Sequence, residues 1–435
     1  MGRIVAIVGR PNVGKSTLFN RLTGGRKAVV DSEPGVTRDR HYGKAEWNGQ
    51  EFSIIDTGGY MTGSANTFDE EIRKQISIAI DEADVVMFVI DVTSGITDLD
   101  ELFAEVLRKK SKKVIPVVNK VDNSQRMFEA SVFYRLGLGE IYPVSAISGS
   151  GTGDLLDAVV EEFAGETGMP DEPDIPRLAI VGRPNVGKSS LVNAMLGEER
   201  NIVTSVSGTT RDSIYTRFNK FKYDFNLVDT AGLRKKTRVR DNVEFYCVMR
   251  SVKAIENSDV CLLLIDAVQG VEAQDINIFH LIRRNAKGLV LLINKWDLVE
   301  KETNTARDFE KYLRKRIAPF EDVPILFISA VNKQRVYKVL ESAARVYENY
   351  TRRISTSALN RMVSEAVEHY PPPSVKGRYV KIKYATQLPS RSPSFAIFCN
   401  SPQYIRESYK RYLERRIRES FDFTGVPLRL YFRKK

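Results

Sequence analysis

AIVGRPNVGKS, residues Ala6–Ser16, returns letter for letter at Ala179–Ser189. Each copy follows a short apolar run, Ile4–Val8 or Leu178–Val181, and leads into a segment with helical apolar spacing. The context is strand, loop, helix. Inside the copies, Gly9-Arg10-Pro11-Asn12-Val13-Gly14-Lys15-Ser16 and Gly182-Arg183-Pro184-Asn185-Val186-Gly187-Lys188-Ser189 both satisfy G-x-x-x-x-G-K-[ST]. The spacing has a physical reason. Glycines let backbone N–H groups turn inward on phosphate oxygens at a helix N-terminus, where the dipole favours anions. The lysine reaches the outer phosphates and the serine hydroxyl ligates Mg²⁺. One such match arises by chance, whereas a repeated eleven-residue identity marks a duplicated functional module.

Working outward, each copy is followed by the same series of short motifs. Asp56-Thr57-Gly58-Gly59 and Asp229-Thr230-Ala231-Gly232 follow apolar strands. Their carboxylates are placed to hold Mg²⁺ and their glycine N–H to sense a γ-phosphate. Asn119-Lys120-Val121-Asp122 and Asn294-Lys295-Trp296-Asp297 come next. An Asp carboxylate there accepts from the N1–H and N2–H₂ edge of guanine, a donor pair that adenine lacks, so the motif selects GTP over ATP. Ser145-Ala146 and Ser329-Ala330 stand where a backbone N–H meets the guanine O6. Between loop and carboxylate, Thr37 and Thr210 hold the place of a threonine that closes over Mg²⁺ and γ-phosphate. The catalytic candidates are thus Lys15, Thr37, Lys188 and Thr210, and the Mg²⁺ ligands Ser16, Thr37, Asp56, Ser189, Thr210 and Asp229. Five motifs in one order, twice, leave no room for coincidental turns.

A chain of 435 residues exceeds one compact core and points to about three domains. Residues 1–164 alternate strands and helices, as do 177–350, joined by an acidic Pro/Gly linker at 165–176. The repeat offset is 173 at Gly9/Gly182 and at Asp56/Asp229, 175 at Asn119/Asn294 and 184 at Ser145/Ser329. Both modules are expected to be α/β, with a mostly parallel sheet, flanking helices and function at strand C-termini. Residues 351–435 break the pattern and read α-β-β-α-β, a small α+β domain. Its expected elements are a helix at Ser357–Tyr370, strands at Tyr379–Tyr384 and Ser394–Phe398, a basic helix at Gln403–Phe421 and a strand at Pro427–Phe432.

Charge separates this last segment from the rest. It carries 18 Lys and Arg against 6 Asp and Glu, a net of +12, while the whole chain is +11, so residues 1–350 sum to about −1. A near-neutral body with a basic tail domain is the electrostatic footprint of a nucleic-acid partner. Arg406, Lys410, Arg411, Arg415, Arg416 and Arg418 crowd the expected helix, interleaved with Tyr404, Tyr409 and Tyr412. Apolar runs such as Val85–Ile90 fall far short of the roughly 20 residues that cross a bilayer. The chain enters its first strand at once, so no signal peptide is expected. Cys247, Cys261 and Cys399 form no metal or disulfide pattern, and His41, His280 and His369 are scattered. The expectation is a cytoplasmic, monomeric protein with no membrane and no DNA partner.

On these motifs the modules resemble TrmE/Era-type GTPases, and the whole arrangement resembles the Der (EngA) family of tandem GTPases. The resemblance spans essentially the entire chain and implies a C-terminal domain similar to a KH fold. It further implies a GTP-hydrolysing factor for biogenesis of the large ribosomal subunit that contacts its rRNA. Two other readings stand beside it, an RNA-modification-associated GTPase and a GTP-gated RNA-binding scaffold. Signalling GTPases place a water-positioning glutamine directly after Asp-x-x-Gly; here Tyr60 and Leu233 occupy that place, so slow intrinsic hydrolysis is expected. Asn12 and Asn185 resemble the asparagine with which related GTPases help bind K⁺ beside the phosphates. The run Arg234–Arg240 gives the second module a basic switch region that the first lacks. The C-terminal region has no G-x-x-G, the loop by which ordinary KH domains clamp nucleotides.

Overall fold

A computed structural model describes residues 3–24, 42–57, 80, 83–109, 113–163, 175–196, 215–228, 243–300, 302–374 and 377–434. They fall into two compact units, within Met1–Glu172 plus Arg238–Lys253 and within Pro173–Thr237 plus Ala254–Lys435. The first carries one six-stranded sheet; the second carries another six-stranded sheet and a three-stranded one.

In the first sheet, β1 (Ile4–Val8), β4 (Val85–Asp91) and β5 (Lys113–Asn119) run parallel, with β3 (Gln50–Asp56) on the other side of β1 and the short β6 (Tyr142–Pro143) beside β5. The order is β2-β3-β1-β4-β5-β6, with β2 (Tyr42–Trp47) antiparallel to β3 at the edge. The second sheet repeats it with β7 (Arg177–Val181), β8 (Tyr215–Lys220), β9 (Tyr223–Val228), β10 (Val260–Asp266), β11 (Gly288–Asn294) and β12 (Ile325–Phe327). Every residue of β1, β4, β10 and β11 is buried, which is why these strands read as unbroken apolar runs: a parallel strand is covered on both faces. The expected open α/β sheets are present, but the antiparallel β2–β3 and β8–β9 hairpins were not anticipated. The signal existed in one copy. Asn48-Gly49 sits at the first hairpin tip with both residues at positive φ, a type I′ pattern, whereas the second tip uses Phe221-Lys222 in the same left-handed region.

Sheet register does the functional work. β1 ends level with Asp56, and along the β4–β5 pair Asp91 stands opposite Asn119. Asp266 stands opposite Asn294 in the second sheet. Strand ends that are distant in sequence therefore meet along one rim of each sheet.

The third sheet, β13 (Ile382–Gln387), β14 (Ser394–Cys399) and β15 (Arg429–Lys434), packs against helices Thr356–His369 and Glu407–Ser420 in the expected α-β-β-α-β order. The last strand runs Arg429–Lys434 rather than Pro427–Phe432, the first ends at Gln387 rather than Tyr384, and two starts moved for a visible reason. Tyr379–Lys381 is not strand, because the Asn400 side chain donates to the Tyr379 carbonyl and accepts from the Lys381 N–H. The basic helix begins at Glu407 rather than Gln403, since Pro402–Tyr404 forms a 3₁₀ turn and Ile405 is extended.

Within the second unit this domain is joined to the second six-stranded sheet through Asp422–Val426. The Leu289 N–H donates to the Gly425 carbonyl and the Gly425 N–H to the Asp322 carbonyl, each 2.8 Å. Val426 is fully buried in the core beneath β10 and β11. Gly425 has φ +79, and a Cβ there would lie 2.6 Å from Val346 Cγ2 and 3.0 Å from the Leu289 carbonyl, so only glycine fits.

Candidate nucleotide-binding sites

The two loops share one geometry. Gly9 and Gly182 sit at φ +150 and +145, and a Cβ there would lie 2.3 Å from the Val89 carbonyl and 2.5 Å from the Leu264 carbonyl. Gly14 and Gly187, at φ +93 and +100, face the carboxamide nitrogens of Asn119 and Asn294, which a Cβ would approach to 2.3 and 2.2 Å. The glycines are thus required by tight backbone approach as well as by left-handed torsions. Asn12 and Asn185 are exposed at the lip with φ 66 and 61, a region asparagine tolerates better than most residues. Val13 and Val186 are fully buried beneath the loops.

Lys15 Nζ donates to the Gly9 and Arg10 carbonyls at 2.8 and 2.7 Å, and Lys188 Nζ to those of Gly182 and Arg183 at 2.8 and 2.6 Å. Both ammonium groups are therefore held inside the loop curve. Burial lowers the Lys15 pKa to about 8, against the opposing attraction of Asp56 and with a smaller push from Arg10. A phosphate anion restores the charged form, so nucleotide binding between roughly pH 8 and 10.5 takes up protons. At pH 9 we expect uptake of about one proton at the first site, read as a dependence of the calorimetric binding enthalpy on buffer ionisation enthalpy in a Gly187→Ala background. No buffer dependence would refute it.

Ser16 Oγ donates to Asp56 Oδ2 at 2.6 Å. A hydroxyl and a carboxylate converging at the loop mouth suit a hard oxygen-seeking cation such as Mg²⁺. The Thr57 hydroxyl donates to the Ile7 carbonyl at 2.8 Å, which anchors the start of this motif to β1. Ser189 is described and exposed at the second loop. Thr37, Gly58, Gly59, Tyr60, Thr210, Asp229, Thr230, Ala231, Gly232, Leu233 and the run Arg234–Arg240 lie outside the described residues.

At the base-reading end the asparagines act as clasps. Asn119 Nδ2 donates to the Val13 carbonyl at 2.8 Å while its Oδ1 accepts the Ala146 N–H at 3.0 Å. Asn294 repeats this with Val186 and Ala330 at 2.8 and 2.9 Å. These side chains, and the Ala146 and Ala330 N–H groups expected at guanine O6, thus tie the phosphate loop to the base loop. Asp122, the expected guanine reader, accepts from Ser145 Oγ at its Oδ1 at 2.5 Å and from Arg126 at its Oδ2 at 2.9 Å. Gly14, Thr17, Asn119, Lys120, Asp122 and Ile147 are among the residues lining a small cavity there. Val121 and Trp296 are buried, their N–H groups bonded to Val144 and Ile328, and Trp296 packs on Phe327 at 4.4 Å. Ser329 Oγ accepts the Asn332 N–H. Asp297 closes the second motif one residue beyond that indole.

The carboxylate partners of the motif lysines and of the loop arginines escaped the sequence reading. Lys120 Nζ binds Asp91 Oδ2 at 2.6 Å and Lys295 Nζ binds Asp266 Oδ2 at 2.5 Å, both lysines at positive φ. Burial pushes the Asp91 carboxyl up, but the Lys120 ammonium and the Thr93 donors outweigh it and hold it below the usual range. The same balance, through Lys295, Val268 and Gln269, holds Asp266 low. Arg10 reaches the fully buried Asp100 at 3.3 Å, and Arg183 reaches Asp275 at 2.9 Å and Glu272 at 2.7 Å. These arginines fasten each loop to the start of the helix that follows β4 or β10, Asp98–Arg108 or Ala273–Arg284. The repeat carried the signal, since Asp91 and Asp266 share the strand-end position at the same offset of 175 as the asparagines.

In the C-terminal domain the basic helix is less open than its sequence implied. Lys410 pairs with Glu407, while Arg415 and Arg416 share Glu419. Arg418, only 13% exposed, binds Glu414, Asp322 and the carbonyls of Phe423 and Val426. Tyr409 is core, and Tyr409 and Tyr412 donate to the Tyr370 and Ala366 carbonyls at 2.9 Å. Among the described residues no helix is long and apolar enough to cross a membrane, and no group of three or more His, Cys, Asp and Glu gathers as a metal cluster. Cys261 and Cys399 are buried thiols, burial pushing Cys261 up to about 12.

The family described as 50S ribosome-binding GTPase matches residues 4–120 and 177–295, and that described as the C-terminal KH-domain-like region of EngA bacterial GTPase enzymes matches 353–433. The chain is 57% identical over 435 residues to GTPase Der of Christiangramia forsetii, covering 100% of both. It is 59% identical over 434 residues to GTPase Der of Flavobacterium johnsoniae, covering 99% of both. Among solved structures, Era in complex with MgGDPNP and nucleotides 1506–1542 of 16S ribosomal RNA aligns at a TM-score of 0.31 and 22% identity, over 60% of this chain and 93% of that one.

Proposed function

We propose that this chain, which belongs to the Der (EngA) family of tandem GTPases, is a factor for biogenesis of the large ribosomal subunit that docks on rRNA according to its nucleotide state. The observation that carries the reading is the pairing of two phosphate cradles of one geometry with a C-terminal domain of net charge +12. The printed description of the matching family, a ribosome-binding GTPase, supports it. The proposed domains are 1–164, 177–350 and 351–435, acting in the cytoplasm.

Chemically, the loop amides and Lys15 or Lys188 receive the phosphates, and Ser16 with Asp56, or Ser189 with Asp229, would hold Mg²⁺. When bound, that ion neutralises charge developing on the phosphate oxygens. Asp122 and Asp297 read the guanine edge, held at a fixed distance from the phosphates by Asn119 and Asn294. Lys120 and Lys295, braced by Asp91 and Asp266, complete the base-loop wall. Thr37 and Thr210 close over the γ-phosphate. No side-chain base is assigned, so positioning and electrostatics carry the reaction.

Asn12 and Asn185, exposed at each lip, would help hold a K⁺ ion beside the phosphates. Turnover is then faster in K⁺ than in Na⁺ at equal ionic strength, and equal rates would remove the cation from the scheme. The test of the main reading is co-sedimentation of the full chain with ribosomal subunits, loaded with GDP or a non-hydrolysable GTP analogue, at two salt concentrations. Enrichment on the large subunit only with the analogue is expected. Binding without subunit preference that fades with salt would reduce the C-terminal domain to a general polyanion binder.

A further inference from the structure

The three-stranded sheet has two unlike faces. Phe395, Ile397, Cys399 and Ala385 point into the domain core. Residues directly opposite one another in a sheet share a face, and successive residues alternate. The register sets Tyr384 opposite Phe398 and Phe398 opposite Arg433, while Ala396 faces Tyr431. These residues therefore occupy the face turned away from the core helices. Tyr384 and Phe398 stack with centroids 4.4 Å apart and planes within 12°. Tyr384 and Phe398 are half-buried, Ala396 is fully buried, and Arg433 is exposed.

We propose that this face, with Tyr384 and Phe398 stacked beside Arg433, is a platform on which an unpaired base of RNA stacks. The inference rests on the RNA-docking reading above and assigns it a surface. Three observations select RNA as the occupant. The outer face of a stacked aromatic pair can continue the stack with a single-stranded base, since every base offers a π face. Arg433 supplies a cation at the rim, in a domain of net +12, matching a polyanion rather than an apolar peptide. The alternative surface, the Glu407–Ser420 helix, spends much of its charge on its own glutamates and on the junction with the second GTPase sheet. A platform of this kind also has no need of the missing G-x-x-G loop.

The experiment is fluorescence anisotropy of the full chain with a labelled single-stranded RNA 12-mer of mixed sequence, beside a fully paired hairpin of similar charge. The variants are Tyr384→Leu, which keeps apolar bulk but removes the ring, and Arg433→Gln, at the sheet edge. Circular dichroism and thermal melting serve as fold controls. Tyr384→Leu is expected to weaken single-strand binding roughly 5- to 100-fold with an unchanged salt slope. Arg433→Gln is expected to weaken it less and to lower the salt slope by about one phosphate contact. If the wild type binds single strands but a folded Tyr384→Leu binds them equally well, the platform is wrong while the RNA reading survives. Wild-type preference for the hairpin, with neither variant changing it, also overturns the platform. If the wild type binds neither RNA at any salt, the docking reading itself falls with it.

Discussion

Replacing Gly14 by alanine is expected to close the first nucleotide site, and Gly187→Ala the second, each leaving the other intact. The added methyl would sit 2.3 or 2.2 Å from the Asn119 or Asn294 carboxamide nitrogen. That nitrogen cannot retreat cheaply, because each carboxamide is pinned between a loop carbonyl and the Ala146 or Ala330 N–H. The left-handed torsions add strain of about 1–3 kcal/mol, and a broken clasp about 1–3 kcal/mol more. Together these predict a loss of nucleotide affinity of at least about 30-fold at the affected site. Titration with a fluorescent GDP analogue reads the outcome directly as a stoichiometry falling from two to one. Two sites of unchanged affinity in Gly187→Ala would mean that the loop and the base-reading segment are not coupled as described.

The second large effect is expected at Arg418, and it is an effect on folding rather than on RNA. Its guanidinium lies over the Phe320 ring at 5.1 Å and bonds to Glu414, Asp322 and the carbonyls of Phe423 and Val426. Truncation to alanine leaves those acceptors without their donor inside the junction, at a cost of about 2–4 kcal/mol. Melting of the second unit should fall by roughly 5–15 °C. Arg415→Ala, by contrast, removes a side chain 74% exposed and should change stability by less than about 0.5 kcal/mol. A normal melt for Arg418→Ala combined with weakened RNA binding would return this residue to the nucleic-acid face that its sequence position implied.

Much of the active architecture is legible because it rests on local backbone requirements. A glycine at φ +93 between two fixed groups is needed wherever such a loop turns into a helix, so Gly14 and Gly187 announce themselves. Buried parallel strands appear as Val85–Asp91 and Gly288–Asn294, with the functional residue at the end of each run. Less legible were elements decided by single side chains reaching across the chain. Asn400 ended the expected strand at Tyr379–Lys381, and Ile405 delayed the basic helix. The β8–β9 hairpin was hidden because Phe221-Lys222 replaces the Asn-Gly of its counterpart.

Residue types and their order establish that the chain is duplicated, that each copy is an α/β phosphate-binding module with a guanine-selective motif, and that a basic α+β domain follows. Those conclusions depend on residue types at short, constant spacing. Tertiary structure alone decided what the charged and polar side chains do. It made clasps of Asn119 and Asn294, braces of Asp91 and Asp266 and loop tethers of Arg10 and Arg183, and it took Arg418 from a supposed RNA face into a buried junction. The reason is physical. A charged side chain bonds to whatever the sheet register and helix packing bring within hydrogen-bond reach, across 29 residues for Lys120 and 96 for Arg418, and no local pattern encodes that meeting.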